Sequence, residues 1–422
     1  MSLPVQLLPG QLESGLFEPQ SARPRVTVGL NNDVNICSFG GYNGPCLIQD
    51  DAYKAARDTG ADTIRYTLYW HKVEPRRGDR IWWQVDKEME RMHNAGFQVY
   101  LNPMWGPAWA TGGFPVWEGF DGCNAPFRNP DGSIGVRFDR TKPGCAAPPP
   151  LDVGAYVDFT GAVTERYKDV VKFMGGMNEF NYNTFWPWGT WNGDEFTPDF
   201  KAAMDWVGRP FYETVKSIAP EISIIGPEMD DIGSLDRILG EEQGHYWDIL
   251  SFHGYDWAAG YPEHALRRVD EFMNVIKRRD DTRPVWITET GKMGDVRVPG
   301  SMRSQAEGEV GFLKGIEARG DIDKVIFYRI QAGLNNTYGW IQRDDSTPEN
   351  GWKQWPVLQR PVALAMREYL TGQPLPSGYP VGESVGRRRA VRRAPDFDRT
   401  DSLYDPASQR YVQWDGEKYV PR

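Results

Sequence analysis

Eight short apolar, β-branched stretches recur along the chain, each followed by a helical pattern, and this alternation constrains the fold more than any other feature. The stretches start near Val26, Thr63, Gln98, Val171, Ile222, Trp247, Pro284 and Lys324, with strings such as VTVGL, TIRYTLYW, QVYLNP, ISIIGPE and KVIFYRI. Between them lie segments such as DDAYKAARDTGA, VDKEMERMHNAG, YVDFTGAVTERYKD, FKAAMDWVGRPFYETVKSIA, HALRRVDEFMNVIKRR and SQAEGEVGFLKGIEARG, and PVLQRPVALAMREYL follows the eighth. Their apolar residues fall at three- and four-residue steps, as amphipathic helices require. Strand alternating with helix makes a parallel sheet covered by helices, and eight units predict a closed (β/α)8 TIM barrel. An open doubly wound sheet would advertise a glycine-rich phosphate turn after its first strand. The sequence there reads NNDVNICSFGGYNG, without G-x-G-x-x-G.

A plain barrel takes about 250 residues, so the 422 residues leave room for insertions. Two are expected, from about Asn102 to Pro150 after strand three and from about Gln331 to Trp355 after strand eight. Both follow strands, which places them on the C-terminal face, where barrel sites are built. The barrel is expected over residues 25–372. Residues 1–24 form an N-terminal segment. Residues 373–422 form a linker with an arginine run (Arg387–Arg389, Arg392, Arg393), then a small β appendage that could pair with the N-terminal segment.

The formal charge is −10. A nucleic-acid partner, which needs a basic face, is therefore not expected. No run of about 18 apolar residues is present, so a membrane span is not expected either. The four cysteines, Cys37, Cys46, Cys123 and Cys145, sit as two local pairs in loop-like sequence without a C-x-x-C pattern. Two loop disulfides, Cys37–Cys46 and Cys123–Cys145, predict an oxidising compartment, secreted or periplasmic; reduced thiols and a cytoplasmic location are the alternative. No leader pattern is visible in the first 15 residues.

Two carboxylates close strands on opposite sides of the expected barrel mouth. Strand four runs into Met177-Asn178-Glu179, and strand seven into Ile287-Thr288-Glu289-Thr290-Gly291. Facing carboxyls over a pocket are what glycoside hydrolysis needs: one held protonated to serve a leaving oxygen, one ionised to attack a sugar carbon. With Arg65 in TIRYTLYWHKVEP and His253 and Tyr255 in SFHGYD, the chain resembles the clan A glycoside hydrolases over roughly residues 25–372. The resemblance implies Glu179 as acid/base, Glu289 as nucleophile, and Asn178 as ligand of a sugar 2-hydroxyl. It further implies Arg65 beside the nucleophile, His253 and Tyr255 as the strand-six pair, and retention of anomeric configuration on β-linked oligosaccharide or polysaccharide substrates. Clan members commonly carry a tryptophan at the end of strand eight. Here Tyr328 stands near that place, with Trp340 farther along as a replacement. Glu228, Asp230 and Asp231 after strand five are further rim candidates.

The 17 tryptophans are the compositional outlier. Most fall at strand ends or in the loops after strands, and Trp105, Trp109, Trp186, Trp188 and Trp340 are expected to form a sugar-stacking rim. Other chemistries are poorly served. Five histidines without H-x-H or H-E-x-x-H give no metal centre, and no cofactor is expected. The G-x-S-x-G at Gly382–Gly386 lacks the strand and helix that a nucleophile elbow needs. The competing class is a catalytically inactive barrel that only binds carbohydrate.

Overall fold

The computed structural model describes residues 26–32, 50–107, 109–111, 124–128, 134–138, 150, 152–182, 185–186, 189–192, 195–240, 245–255, 260–295, 300–331, 338–343, 357–373, 402–405, 410–414 and 419–421. All four cysteines, Trp188 and residues 1–24 lie outside them. Eight parallel strands close into a barrel: β1 (Thr27–Asn32), β2 (Thr63–Tyr69), β3 (Gln98–Met104), β4 (Val171–Met174), β5 (Ser223–Met229), β6 (Ile249–His253), β7 (Val285–Thr290) and β8 (Lys324–Phe327). Each pairs with its sequence neighbours, and β1 closes the ring on β8. Strands buried on both faces read as nearly continuous apolar runs, and every residue of β2 is buried. The expected eightfold alternation is realised.

Alternation along each strand sorts two cores. Outward residues such as Ile64, Leu68, Val99 and Leu101 pack beneath the helices. Inward residues Tyr100, Ile225, Ile249, Trp286 and Ile326, with Phe173 against them, fill the barrel itself. Below them Lys324 donates to Asp62 at 2.6 Å and lies 5.1 Å over the Trp286 ring. Above Tyr100 the inward positions turn polar, with Asn31, Arg65, Asn102, Ser251 and His253 all buried. The register pairs Asn31 with Arg65, and Arg65 with Tyr100, so the polar layer begins at one level.

Helices follow every strand. The one after β5, Ile232–Gly240, has no counterpart among the segments expected from sequence. It has only nine residues and contains Gly233 and Gly240, which weaken a helical pattern. The long segment after β4 is a helix interrupted by a π turn, Phe200–Ala203, Met204–Gly208, then Arg209–Ile218. Pro210 lacks an N–H and crowds the preceding turn, which accounts for the local widening.

After β8 the chain returns as Ile341–Arg343 and Val357–Gln359, an antiparallel pair. Ser402–Asp405, Arg410–Trp414 and Tyr419–Pro421 extend it to a five-stranded sheet. The C-terminal strands therefore add to Val357–Gln359, through Gln359 opposite Tyr404. No helix among the described residues is long and apolar enough to cross a membrane.

Candidate active site

The C-terminal ends of the strands depart from regularity where the polar layer lies. Register shifts occur between β5 and β6, β6 and β7, and β7 and β8. Such bulges re-aim side chains. Of the four non-glycine residues with left-handed φ among the described residues, three stand here: Trp105 at 60°, Glu179 at 42° and Glu228 at 54°. Strained backbone of this kind costs about 1–3 kcal/mol each and concentrates at functional sites. Strand four, expected to run through to Glu179, stops in the structure at Met174, and Gly175 and Gly176 carry the chain across the barrel top. A Cβ on Gly175 would sit 2.4 Å from the Tyr100 hydroxyl, so only glycine fits that crossing.

Glu289 is ringed by donors. Arg65 Nη1 donates to Oε1 at 2.6 Å, Asn31 Nδ2 to the same oxygen at 3.1 Å, and the Tyr255 hydroxyl to Oε2 at 3.0 Å. An ionised carboxylate only accepts, and these neighbours only offer protons to it. The desolvation that would lower the Arg65 pKa is outweighed by Glu228 and Glu289, which hold it well above its ordinary value. Arg65 therefore stays charged.

Glu179 is set differently. Its Oε1 lies 2.6 Å from His253 Nδ1, and no arginine reaches it among the described hydrogen bonds. Burial pushes its pKa up, opposed by His253 and reinforced by Glu289 and Asp230. Burial would lower the His253 pKa, yet Glu289 and Glu179 push it up to about 9. The Glu179–His253 pair thus holds a proton at neutral pH. One oxygen of Glu179, one of Glu289 and a ring nitrogen of His253 all lie within 4.8 Å of one another. Donor atoms that close could hold a cation. Here positive charge is already supplied by Arg65 beside Glu289 and by the proton held between Glu179 and His253, which disfavours a further cation.

Asn178 completes the group, its Oδ1 accepting from Arg65 Nη2 at 2.7 Å. That bond uses the amide oxygen, and the amide N–H2 is a donor. Glu179, Glu289, Asn178, Arg65, His253 and Tyr255 are therefore all brought together. Tyr328 stands at the strand-eight edge of the same mouth, its ring 6.3 Å from that of Tyr255 and 5.4 Å from that of Tyr338. Asn31 is a site residue that the sequence does not single out; its one signal is an asparagine closing an apolar strand, as in TVGLNN. Tyr338 is another, because it lies in a long loop without pattern.

The expected aromatic rim is corrected at several positions. Trp340 is 0% exposed, with its indole N–H donating to buried Glu309 at 2.7 Å, so its faces are covered by core. Trp186 is 1% exposed and packs beside Trp206. Trp109 is half-buried, edge-on to Trp70, with Arg77 5.0 Å over its ring. Trp188 lies outside the described residues. Trp105 is the one of these rings that stays half-buried at a strand end beside Asn178, lining an apolar cleft with Phe185. Among the strand-five acids, Glu228 is fully buried against Arg65 rather than at the rim, while Asp230 accepts from the Tyr182 hydroxyl at 2.6 Å.

No protein-family model and no curated protein matches this sequence. Solved structures do. A GH39 β-xylosidase from Caulobacter crescentus is 15% identical with a TM-score of 0.54, over 94% of this chain and 77% of that one. A family 39 glycoside hydrolase from the gut symbiont Bacteroides cellulosilyticus WH2 is 14% identical with a TM-score of 0.52, over 94% and 69%. A GH5-4 broad specificity endoglucanase from Clostridium longisporum is 12% identical with a TM-score of 0.55, over 83% and 99%. At these identities the likeness is one of fold.

Proposed function

We propose that this protein is a retaining glycoside hydrolase acting on β-linked oligosaccharides or polysaccharides through a covalent glycosyl-enzyme. The observation that carries the reading is the placement of two unlike carboxylates within 4.8 Å across the barrel mouth, one ringed by donors and the other buried against His253. Carboxyls about 5–5.5 Å apart suit direct attack on the sugar, whereas inversion leaves about 6.5–9.5 Å for a water.

In the first step Glu289 attacks the anomeric carbon while the bond to the leaving oxygen breaks. Glu179 gives that oxygen its proton, so the alcohol departs neutral and an ester to Glu289 remains. In the second step Glu179, now ionised, takes a proton from water, whose oxygen attacks the same carbon and frees Glu289. Tyr255 and Asn31 hold the Glu289 oxygens through both steps. The amide of Asn178 meets the sugar 2-hydroxyl, and Trp105 offers a ring to the sugar's apolar face.

A panel of aryl β-glycosides (gluco, xylo, galacto and manno) together with β-linked oligosaccharides tests this reading. Release of phenol or of reducing ends from at least one substrate is expected. Binding to such saccharides with release from none would point to the inactive carbohydrate-binding barrel instead.

A further inference from the structure

Glu228 takes no part in the reaction just described, yet it is bonded to the groups that do. Its carboxylate is 0% exposed and receives Arg65 Nε on one oxygen and Arg65 Nη2 on the other, each at 2.9 Å. Asn102 Nδ2 donates to the second oxygen at 2.9 Å. The same guanidinium reaches Glu289 through Nη1 at 2.6 Å and Asn178 through Nη2 at 2.7 Å. The Glu228 backbone is engaged as well. Its carbonyl accepts the Glu179 N–H at 3.0 Å, and its own N–H donates to Ser251 Oγ at 3.1 Å, two residues before His253.

We infer that Glu228 is a positioning residue: through Arg65 it sets Glu289 and Asn178, and through its carbonyl it sets the backbone of Glu179. The inference rests on the glycosidase reading above. A guanidinium is planar, and a carboxylate gripping its Nε–Nη2 edge fixes that plane. The remaining N–H groups then have one direction each, toward Glu289 and toward Asn178. Glu228 also sets the charge. Arg65 alone would present a full positive charge to Glu289, and the buried negative charge behind it offsets part of that field. Glutamine at 228 would remove the offset and turn an N–H2 toward guanidinium donors, costing one bond. Glu289, facing an unopposed cation, would then be a weaker nucleophile. Aspartate would keep the charge but fall short of the guanidinium edge.

The test compares kcat and KM of the full-length wild type, Glu228→Gln and Glu228→Asp on the best aryl glycoside from the panel, with melting curves alongside. Misplacement of about 1 Å is enough to cost about 100-fold, so kcat should fall about 10- to 100-fold in both variants. KM should change little, because the hydrogen bonds made by Glu228 end on protein groups and not on the substrate. The fall should be deeper in Glu228→Gln, which loses the charge, than in Glu228→Asp, which keeps it. An active wild type with unchanged kcat in Glu228→Gln, or with a rise in KM in place of the fall in kcat, overturns the inference alone, whether or not the melting temperature falls. A wild type that cleaves nothing overturns it together with the glycosidase reading. Should Glu228→Gln fail to fold, Asn102→Ala removes an outer donor to the same carboxylate, together with its bond to the Met177 carbonyl at 3.2 Å. A fall in kcat at unchanged melting temperature then supports the positioning role, and wild-type kcat contradicts it.

Discussion

Glu289→Gln lowers turnover of the best substrate by about 10⁵-fold, the scale seen when a covalent nucleophile is removed from an assembled site. The loss is chemical rather than structural. An amide keeps one oxygen for Arg65 and Asn31, which now meet Oε1 at 2.6 and 3.1 Å. Its N–H2 can donate to the Tyr255 hydroxyl, which accepts as well as donates. Arg65 keeps its bidentate partner Glu228. The melting temperature therefore stays near that of the wild type while the glycosyl-enzyme no longer forms. Intact-mass measurement after exposure to a 2-deoxy-2-fluoro aryl glycoside checks this, with a stable adduct on the wild type and none on the variant. Wild-type-like turnover by Glu289→Gln would remove the nucleophile assignment.

Glu179→Ala behaves differently, and the difference identifies the acid. Proton donation is worth about 10²–10⁴-fold, and most to leaving groups that cannot depart as anions. Substrates with alkyl or sugar leaving groups should lose activity on that scale. Nitrophenyl and dinitrophenyl glycosides should still form the glycosyl-enzyme, which then accumulates because no base activates water. An added small anion such as azide should speed its release. Equal loss across leaving groups would contradict the acid role. The alkaline side of the wild-type profile follows from the same residue. Glu179 must carry its proton to act, and burial with nearby Glu289 and Asp230 raises its pKa. Activity therefore persists at neutral pH and is lost as pH rises and the Glu179–His253 pair gives up its proton.

The barrel is legible because parallel strands announce themselves as apolar β-branched runs. The observed starts, from Thr27 to Lys324, fall within two residues of those expected from sequence. The helix at Ile232–Gly240 is not legible, since nine residues with glycines near both ends carry little periodicity. The two glutamates and the four residues named around them do converge. Arg65, His253 and Glu289 sit on strands, which fix a side chain's height and parity in a barrel, and Asn178, Glu179 and Tyr255 follow within a few residues of strand ends.

The tryptophans show where sequence stops. Position after a strand does not say which way a ring turns, and Trp340 and Trp186 turn inward to fill space under the loops. Glu228 shows the same limit from the polar side. Its place after strand five suggests the rim, whereas a left-handed φ of 54° turns it down onto Arg65. Asn31 carries only a faint signal and Asn102 none, because their roles depend on partners from strands far away in sequence.

The central claim is double displacement at one anomeric carbon by Glu289 and Glu179. Proton NMR of the first-formed sugar, recorded before mutarotation, tests it most directly. A product of the same β configuration as the substrate is the predicted result, and initial release of the α anomer would contradict it.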